Sequence, residues 1–146
     1  MMQDAHVLKK NAKIDLLRNV RLFSSCNDKE LGRIATLTDV IDVPAGKVLT
    51  EEGKPGGEAF VIASGTATAK VNKKKLATLG EGGFFGEMSL LDHGPRTATI
   101  VADGPMTLLV LDPRSFVELL EDVPSVSRKI MRTLAERLRE LEKTLL

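Results

Sequence analysis

Between Thr38 and Leu111 the chain is cut by glycine into short apolar segments at intervals of roughly ten residues: "VIDVPAGKVL", "EEGKPGGEAFVIASGTATAKV", "KKKLATLGEGG" and "RTATIVADGPMTLLVL". That rhythm belongs to an antiparallel sandwich or closed roll. The flanks read differently. Ile14, Leu16, Leu17 and Val20 through Leu22 and Phe23 are spaced as in a short helix. Asn27, with Glu30 three residues on, is a capping-box signature for a second helix that buries Leu31, Ile34, Ala35 and Leu37. After the strands, Asp112 is the expected N-cap and Pro113 the first residue of a helix burying Phe116, Leu119 and Leu120, and a last helix follows from Pro124 to the end. Residues 1–10 are polar, lack a period, and are expected to fray. The expectation is one domain over residues 1–146, mainly β with flanking helices. It is an eight-stranded antiparallel β-roll of jelly-roll type over 38–111, with N-terminal helices over 1–37 and a C-terminal helix pair over 112–146.

Two strands carry extra information. In "TATAKV", Ala67, Ala69 and Val71 share one face, and in "TATIVA" Ala98, Ile100 and Ala102 do. Small inward side chains leave room for a ligand cavity, or simply let two sheets approach.

Composition narrows the function. A net charge of +1 gives no field for polyanions, and with no Trp or Tyr base stacking on aromatic platforms has little to work with. Nucleic acid is not an implied partner. The single Cys26 cannot form an internal disulfide. No segment has the apolar length of a membrane span or the form of a signal peptide, so the expected location is cytoplasmic, away from membranes. Catalysis lacks its parts: His6 lies in the tail and His93 in a turn, Ser89 shows no paired base, and Cys26 beside two serines reads as a helix-cap neighbour. No metal site is expected.

The stretch "GGFFGEMSLLDHGPRTAT", residues 82–99, concentrates the chemistry. Gly82, Gly83 and Gly86 allow tight turns in which successive N–H groups form an anion-binding concavity. Arg96 returns to it nine residues after Glu87, past the turn signal Asp92 to Pro95. An acid for a hydroxyl and a planar cation for phosphoryl oxygens suit a sugar phosphate, while the plainer reading is a surface ion pair.

Within it, "FGEMSLLDHGPRTAT" resembles the phosphate-binding cassette of the cyclic nucleotide-binding domain, at Phe85, Gly86, Glu87, Met88, Ser89, Leu90, Pro95, Arg96, Thr97 and Ala98. The "LLRNVRLFSSCNDKEL" helices, the "AGKVLTEEG" turn and "FVIASGTA" are similar to that family in order. The resemblance implies a non-enzymatic sensor whose ligand is cyclic AMP (cAMP) or cyclic GMP (cGMP), with no further cofactor. Arg96 would pair with the cyclic phosphate, Glu87 would accept the ribose 2′-hydroxyl, backbone N–H groups of Gly86 and Glu87 would complete the cradle, and Thr97 would add its hydroxyl. An empty pocket is expected to leave Arg96 solvated. Gly83 stands where many members carry an acid. The pattern looks bacterial and catabolite activator-like, which favours cAMP; the expected helix-turn-helix of such regulators is not in the sequence, so no DNA binding by this chain alone is expected. The chain reads as a free-standing sensor or a piece of a longer regulator, and a ligand-free dimerisation unit of the same fold is the alternative.

Met131, Leu134, Leu138, Leu141 and Leu145 recur at heptad spacing, with Arg137 at g and Glu142 at the next e. The stripe is a homodimer seam, or one face laid on the chain's own roll. By resemblance to dimeric members, Arg137 lies near the cassette glutamate, and Leu141 and Glu142 near the purine.

Overall fold

The computed structural model describes residues 10–145. Their order is α1 (Lys10–Arg18), a 3-10 turn (Arg21–Phe23), α2 (Asp28–Leu37), β1 (Asp39–Val43), β2 (Val48–Thr50), β3 (Ala59–Ser64), β4 (Ala67–Val71), β5 (Lys74–Leu79), β6 (Phe84–Phe85), α3 (Glu87–Asp92), β7 (Thr99–Ala102), β8 (Met106–Leu111), α4 (Pro113–Asp122) and α5 (Pro124–Leu145). Of the residues expected to fray, 1–9 lie outside the described residues. The eight strands form two four-stranded antiparallel sheets, β1-β8-β3-β6 and β2-β7-β4-β5. The β-roll with flanking helices is the fold expected from the sequence.

The two sheets differ in what their faces meet. In β3, Ala59 and Val61 join a core shared with the helices, while Phe60 and Ile62 point into the roll. In β8, Leu109 and Leu111 take the helix side, and Met106, Leu108 and Val110 the roll side. A sheet covered on both faces needs near-continuous apolar strands, which is why "AFVIAS" and "MTLLVL" lack alternation. The second sheet turns one face to solvent. Ala67 and Ala69 of β4 are buried while Lys70 is exposed. Val71, at the end of β4, is only half-buried, and the β4–β5 register shifts between Ala69↔Ala77 and Lys70↔Lys75, passing over Leu76, which is 69% exposed.

The helix expected over Ile14 to Phe23 is two pieces. In a continued helix Arg21, four residues past Leu17, would fall on the buried stripe. Instead α1 ends at Arg18, Val20 is extended, and the 3-10 turn buries Leu22 and Phe23 with Arg21 outside. The capping box of α2 forms in both directions: Asn27 Oδ1 accepts from the Glu30 N–H at 2.8 Å and Glu30 Oε1 from the Asn27 N–H at 2.9 Å. Asp112 caps α4 by accepting from the Ser115 N–H, with Pro113 at the first helical turn.

Asn27→Ala is expected to lower the unfolding free energy by about 1 kcal/mol, and Leu109→Ala, which hollows the helix-side core beneath a fully buried strand position, by about 2 to 5 kcal/mol. Chemical denaturation of both variants checks the order.

Candidate functional site

The turn between β5 and β6 uses its glycines for the chain itself. Gly82 has φ +80°, and its N–H donates to the Ile62 carbonyl at 2.9 Å; the Gly83 N–H donates to the Gly80 carbonyl at 3.0 Å. Those two amides are spent on closing the turn. The concavity expected from three glycines therefore contracts to Gly86 and the start of α3. Gly86 is the N-cap of that helix with φ +86°, and a Cβ there would sit 2.8 Å from both Arg96 Nη1 and the Glu58 carbonyl oxygen. Backbone conformation and the closeness of the guanidinium both require glycine.

Backbone bonds hold Arg96 in place. Its N–H donates to the Lys54 carbonyl and its carbonyl accepts from the Gly53 N–H, each at 2.9 Å, beside a bridge between Pro55 and Pro95. The side chain is 7% exposed. Nη1 donates to the Gly86 carbonyl at 2.9 Å and Nη2 to the Glu58 carbonyl at 2.7 Å. The expectation of a solvated Arg96 is thus overturned: the fork lies inside the protein, anchored to two backbone oxygens that need a donor. Burial pushes its pKa below the ordinary value, opposed by the charges of Glu58 and Glu87. A guanidinium has five N–H donors; with two committed, three remain for a ligand.

Glu87 opens α3 and is 3% exposed. Its carboxylate does not pair with Arg96. Oε1 accepts instead from Arg137 Nη1 of α5 at 3.1 Å. The surface ion pair that the spacing of Glu87 and Arg96 allowed is therefore not formed: both are buried, and each has another partner.

Phe85, Gly86, Glu87, Met88, Ser89, Arg96, Thr97 and Ala98 line one cavity of about 140 Å³, and Arg137 closes it from the helix side. Leu141 and Glu142 do not reach it. Beyond Arg137 α5 is exposed along its length, with Leu141 61% exposed, because its buried residues are Val126 and Ile130 near its start. Thr50, Leu79 and Phe84, which were not singled out from the sequence, also line the cavity, as does Ile100. Ile100 was readable as inward-facing; Thr50, whose Oγ1 donates to the Ala98 carbonyl at 2.9 Å, had no sequence signal. Of the small residues that suggested a cavity, Ala98 lines it, whereas Ala67, Ala69 and Ala102 pack in the roll core. Leu79, Phe84 and Arg137 also line an adjoining groove of about 620 Å³ against α5 and the 3-10 turn.

Elsewhere little chemistry is assembled. Among the described residues no three His, Cys, Asp or Glu groups are placed to hold a metal ion, and no helix is long and apolar enough to cross a membrane. Burial pushes the Cys26 thiol up, partly offset by Ser125 Oγ at 3.8 Å, which disfavours a thiolate.

Known proteins share this arrangement with different attachments. The chain is 36% identical over 115 residues to the cAMP-dependent protein kinase regulatory subunit of Aspergillus fumigatus, covering 77% of this chain and 28% of that one. It is 33% identical over 122 residues to the cyclic nucleotide-gated potassium channel of Mesorhizobium japonicum, covering 84% and 34%. It superposes on the Thermus thermophilus catabolite activator protein with a TM-score of 0.79 at 32% identity, covering 85% and 61%. The chain thus spans about a third or less of the length of the fungal subunit and of the bacterial channel, and fungal and bacterial proteins both appear, so a bacterial origin is not singled out. The family model for the cyclic nucleotide-binding domain matches residues 40–123, which contain every cavity-lining residue except Arg137, and the chain belongs to that family.

Proposed function

We propose that this chain is a cyclic nucleotide sensor that prefers cAMP over cGMP and reports occupancy through the position of α5. One observation carries the binding assignment: a buried cation with three uncommitted N–H donors and a buried carboxylate line the same cavity. Arg96 takes the phosphoryl oxygens of the cyclic phosphate, aided by the N–H groups of Gly86 and Glu87 and by the Thr97 hydroxyl. Glu87 accepts the ribose 2′-hydroxyl. The base extends toward the adjoining groove. A cyclic phosphodiester carries one negative charge, so one arginine with neutral donors suits it better than a polyphosphate. The fungal relative is a cAMP-dependent protein kinase regulatory subunit, which supports the adenine preference.

Coupling to α5 follows from Glu87. The carboxylate that accepts from Arg137 is also the one that accepts the ribose hydroxyl in this reading, so occupancy and the hold on α5 are linked. Movement of α5 is also what would bring Leu141 and Glu142 to the base. The heptad stripe supports a homodimer: Met131, Leu138, Leu141 and Leu145 are each more than half exposed, while Leu134 packs on the chain's own core. The module acts in the cytoplasm as a binding unit, without catalysis.

Calorimetry is expected to give micromolar or tighter binding of cAMP, weaker binding of cGMP and far weaker binding of 5′-AMP, whose extra charge and open ring break the fixed relation of phosphate to 2′-hydroxyl. Equal affinities for cAMP and 5′-AMP would overturn the cyclic-phosphate assignment, and no binding of any of the three would leave the dimerisation unit.

Arg96→Ala is expected to cost about 2 to 5 kcal/mol of binding, roughly thirty-fold to several thousand-fold in affinity. It also strips the Gly86 and Glu58 carbonyls of their donor, at about 1 to 3 kcal/mol each, so the ligand-free melting temperature falls by several degrees as well. Arg96→Lys keeps the charge without the fork and still loses at least about tenfold. A lower melting temperature with unchanged cAMP affinity would make Arg96 a structural prop.

Leu138→Asp places a charge in the stripe at an already exposed position, so it should convert a dimer to a monomer without unfolding it. Light scattering that finds the parent chain monomeric removes the seam.

A further inference from the structure

The hairpin that joins β4 to β5 carries three local choices that each work against the fold. Its two-residue loop, Asn72 and Lys73, has φ of 53° and 67°, so both residues are left-handed. Such a loop takes asparagine readily at its first position and glycine at its second, and a lysine at the second is strained. Lys70 stands directly across from Lys75, a like-charge pair that weakens a sheet. The register shift beside that pair leaves Leu76 without a cross-strand partner and 69% exposed.

With Lys74, four exposed lysines stand within residues 70–75. Among the described residues none of the four forms an ion pair. Glu52 and Asp103 lie beside the hairpin with their carboxylates engaged. Glu52 Oε1 accepts from the Asn72 N–H at 2.9 Å, and Asp103 accepts from the Thr66 and Thr68 hydroxyls at 3.0 and 2.6 Å while attracting Lys75 and Lys70 from further off. Lysines and a bulge on an edge strand deter strand-to-strand association, and β5 is an edge strand. That accounts for Lys74 and Lys75. It does not account for Lys70 on the inner strand β4, for a strained lysine at the tip, or for an exposed leucine. Choices that conflict with the fold and coincide in one place call for a functional reason.

We propose that this hairpin is the docking point for a short acidic segment of a partner protein, with Lys70, Lys73, Lys74 and Lys75 meeting its carboxylates and Leu76 an apolar side chain beside them. Charge complementarity argues for the class of partner, and the surroundings argue for its size. The whole chain has a net charge of +1, so the basic field is local to the tip. A nucleic acid or an anionic bilayer carries its charge on past the hairpin, over Glu52 and Asp103, and is repelled there. A short segment ends within the patch. None of residues 70–76 lines the cavity of Arg96 and Glu87, so the partner and the cyclic nucleotide do not compete for one surface.

The test uses the full chain and a fluorescein-labelled peptide of alternating Glu and Leu, with the same peptide carrying Gln for Glu as control. Fluorescence anisotropy at low salt is expected to show binding of the Glu peptide that weakens as salt is raised, with the Gln peptide at least about tenfold weaker. Lys73→Gly is expected to weaken binding about threefold or more while raising the melting temperature, because strain and charge leave together. Lys70→Glu turns the like pair into an opposite one, so it is expected to weaken binding about tenfold and also to raise the melting temperature. Leu76→Ser is expected to weaken binding several-fold with the melting temperature unchanged. All three variants are expected to bind cAMP as the parent does, and a matching loss of cAMP affinity overturns the assignment of a separate surface. No binding of the Glu peptide, or equal binding of the Gln peptide, overturns the proposal. So does parent-like peptide affinity in Lys73→Gly and Lys70→Glu, which leaves the lysines as a solvated edge. Tighter binding to phosphatidylserine vesicles or to single-stranded DNA than to the peptide overturns the choice of a protein segment.

Discussion

A guanidinium buried against two backbone carbonyls is the interaction on which the rest of the site depends. Arg96 comes from the segment before β7, the Gly86 carbonyl from the start of α3, and the Glu58 carbonyl from the loop before β3. One side chain thus joins three pieces of the roll that no strand pairing connects at this point. The closeness of the cation accounts for Gly86, where any Cβ would strike Nη1, and for Gly56, where it would strike Nε. Burying the charge is costly, as the lowered pKa of Arg96 reflects, and the carbonyls offset that cost without using up the fork. The remaining donors are therefore oriented before any ligand arrives, so less entropy is lost when one binds.

The second constraint is the asymmetry of the two sheets. The sheet containing β3 and β8 is covered by the roll on one side and by the helices on the other, which makes it a rigid wall with apolar contacts on both faces. The cavity lies at the edge of that wall, between β6 and the start of β7, where Phe60 and Phe85 stack with centroids 5.0 Å apart. Helix α5 begins as part of the wall's outer core, at Val126 and Ile130, and then passes the cavity mouth, where Arg137 meets Glu87. Its first turns are fixed by packing and its later turns by one ion pair with a carboxylate that the ligand is proposed to use. A helix anchored at one end and held weakly beyond is suited to transmit occupancy, whatever effector is attached.

Much of this was legible in the residues. Glycine spacing announces the roll because turns with positive φ need it, and Gly46, Gly53, Gly65, Gly82 and Gly86 all take that conformation. The capping box at Asn27 and the Asp112-Pro113 start work locally, so they read correctly from a few residues. The run from Phe85 to Ala98 carries its chemistry within fourteen consecutive positions. The sequence by itself therefore determined the β-roll with its flanking helices and the eight cassette residues of the cavity, because each depends on neighbours along the chain, but not α3 or the break after Arg18. Tertiary structure decided the rest. Whether Gly82 and Gly83 offer amides to an anion depends on Ile62 and Gly80, and whether Arg96 is solvated depends on the carbonyls of Gly86 and Glu58. That Glu87 meets Arg137, fifty residues away, was expected only from the family resemblance, and that Gly56 backs Ser89 follows from how the loop closes over the roll. These are contacts at a distance along the chain, and local propensity carries no information about which distant group will come to satisfy a buried charge.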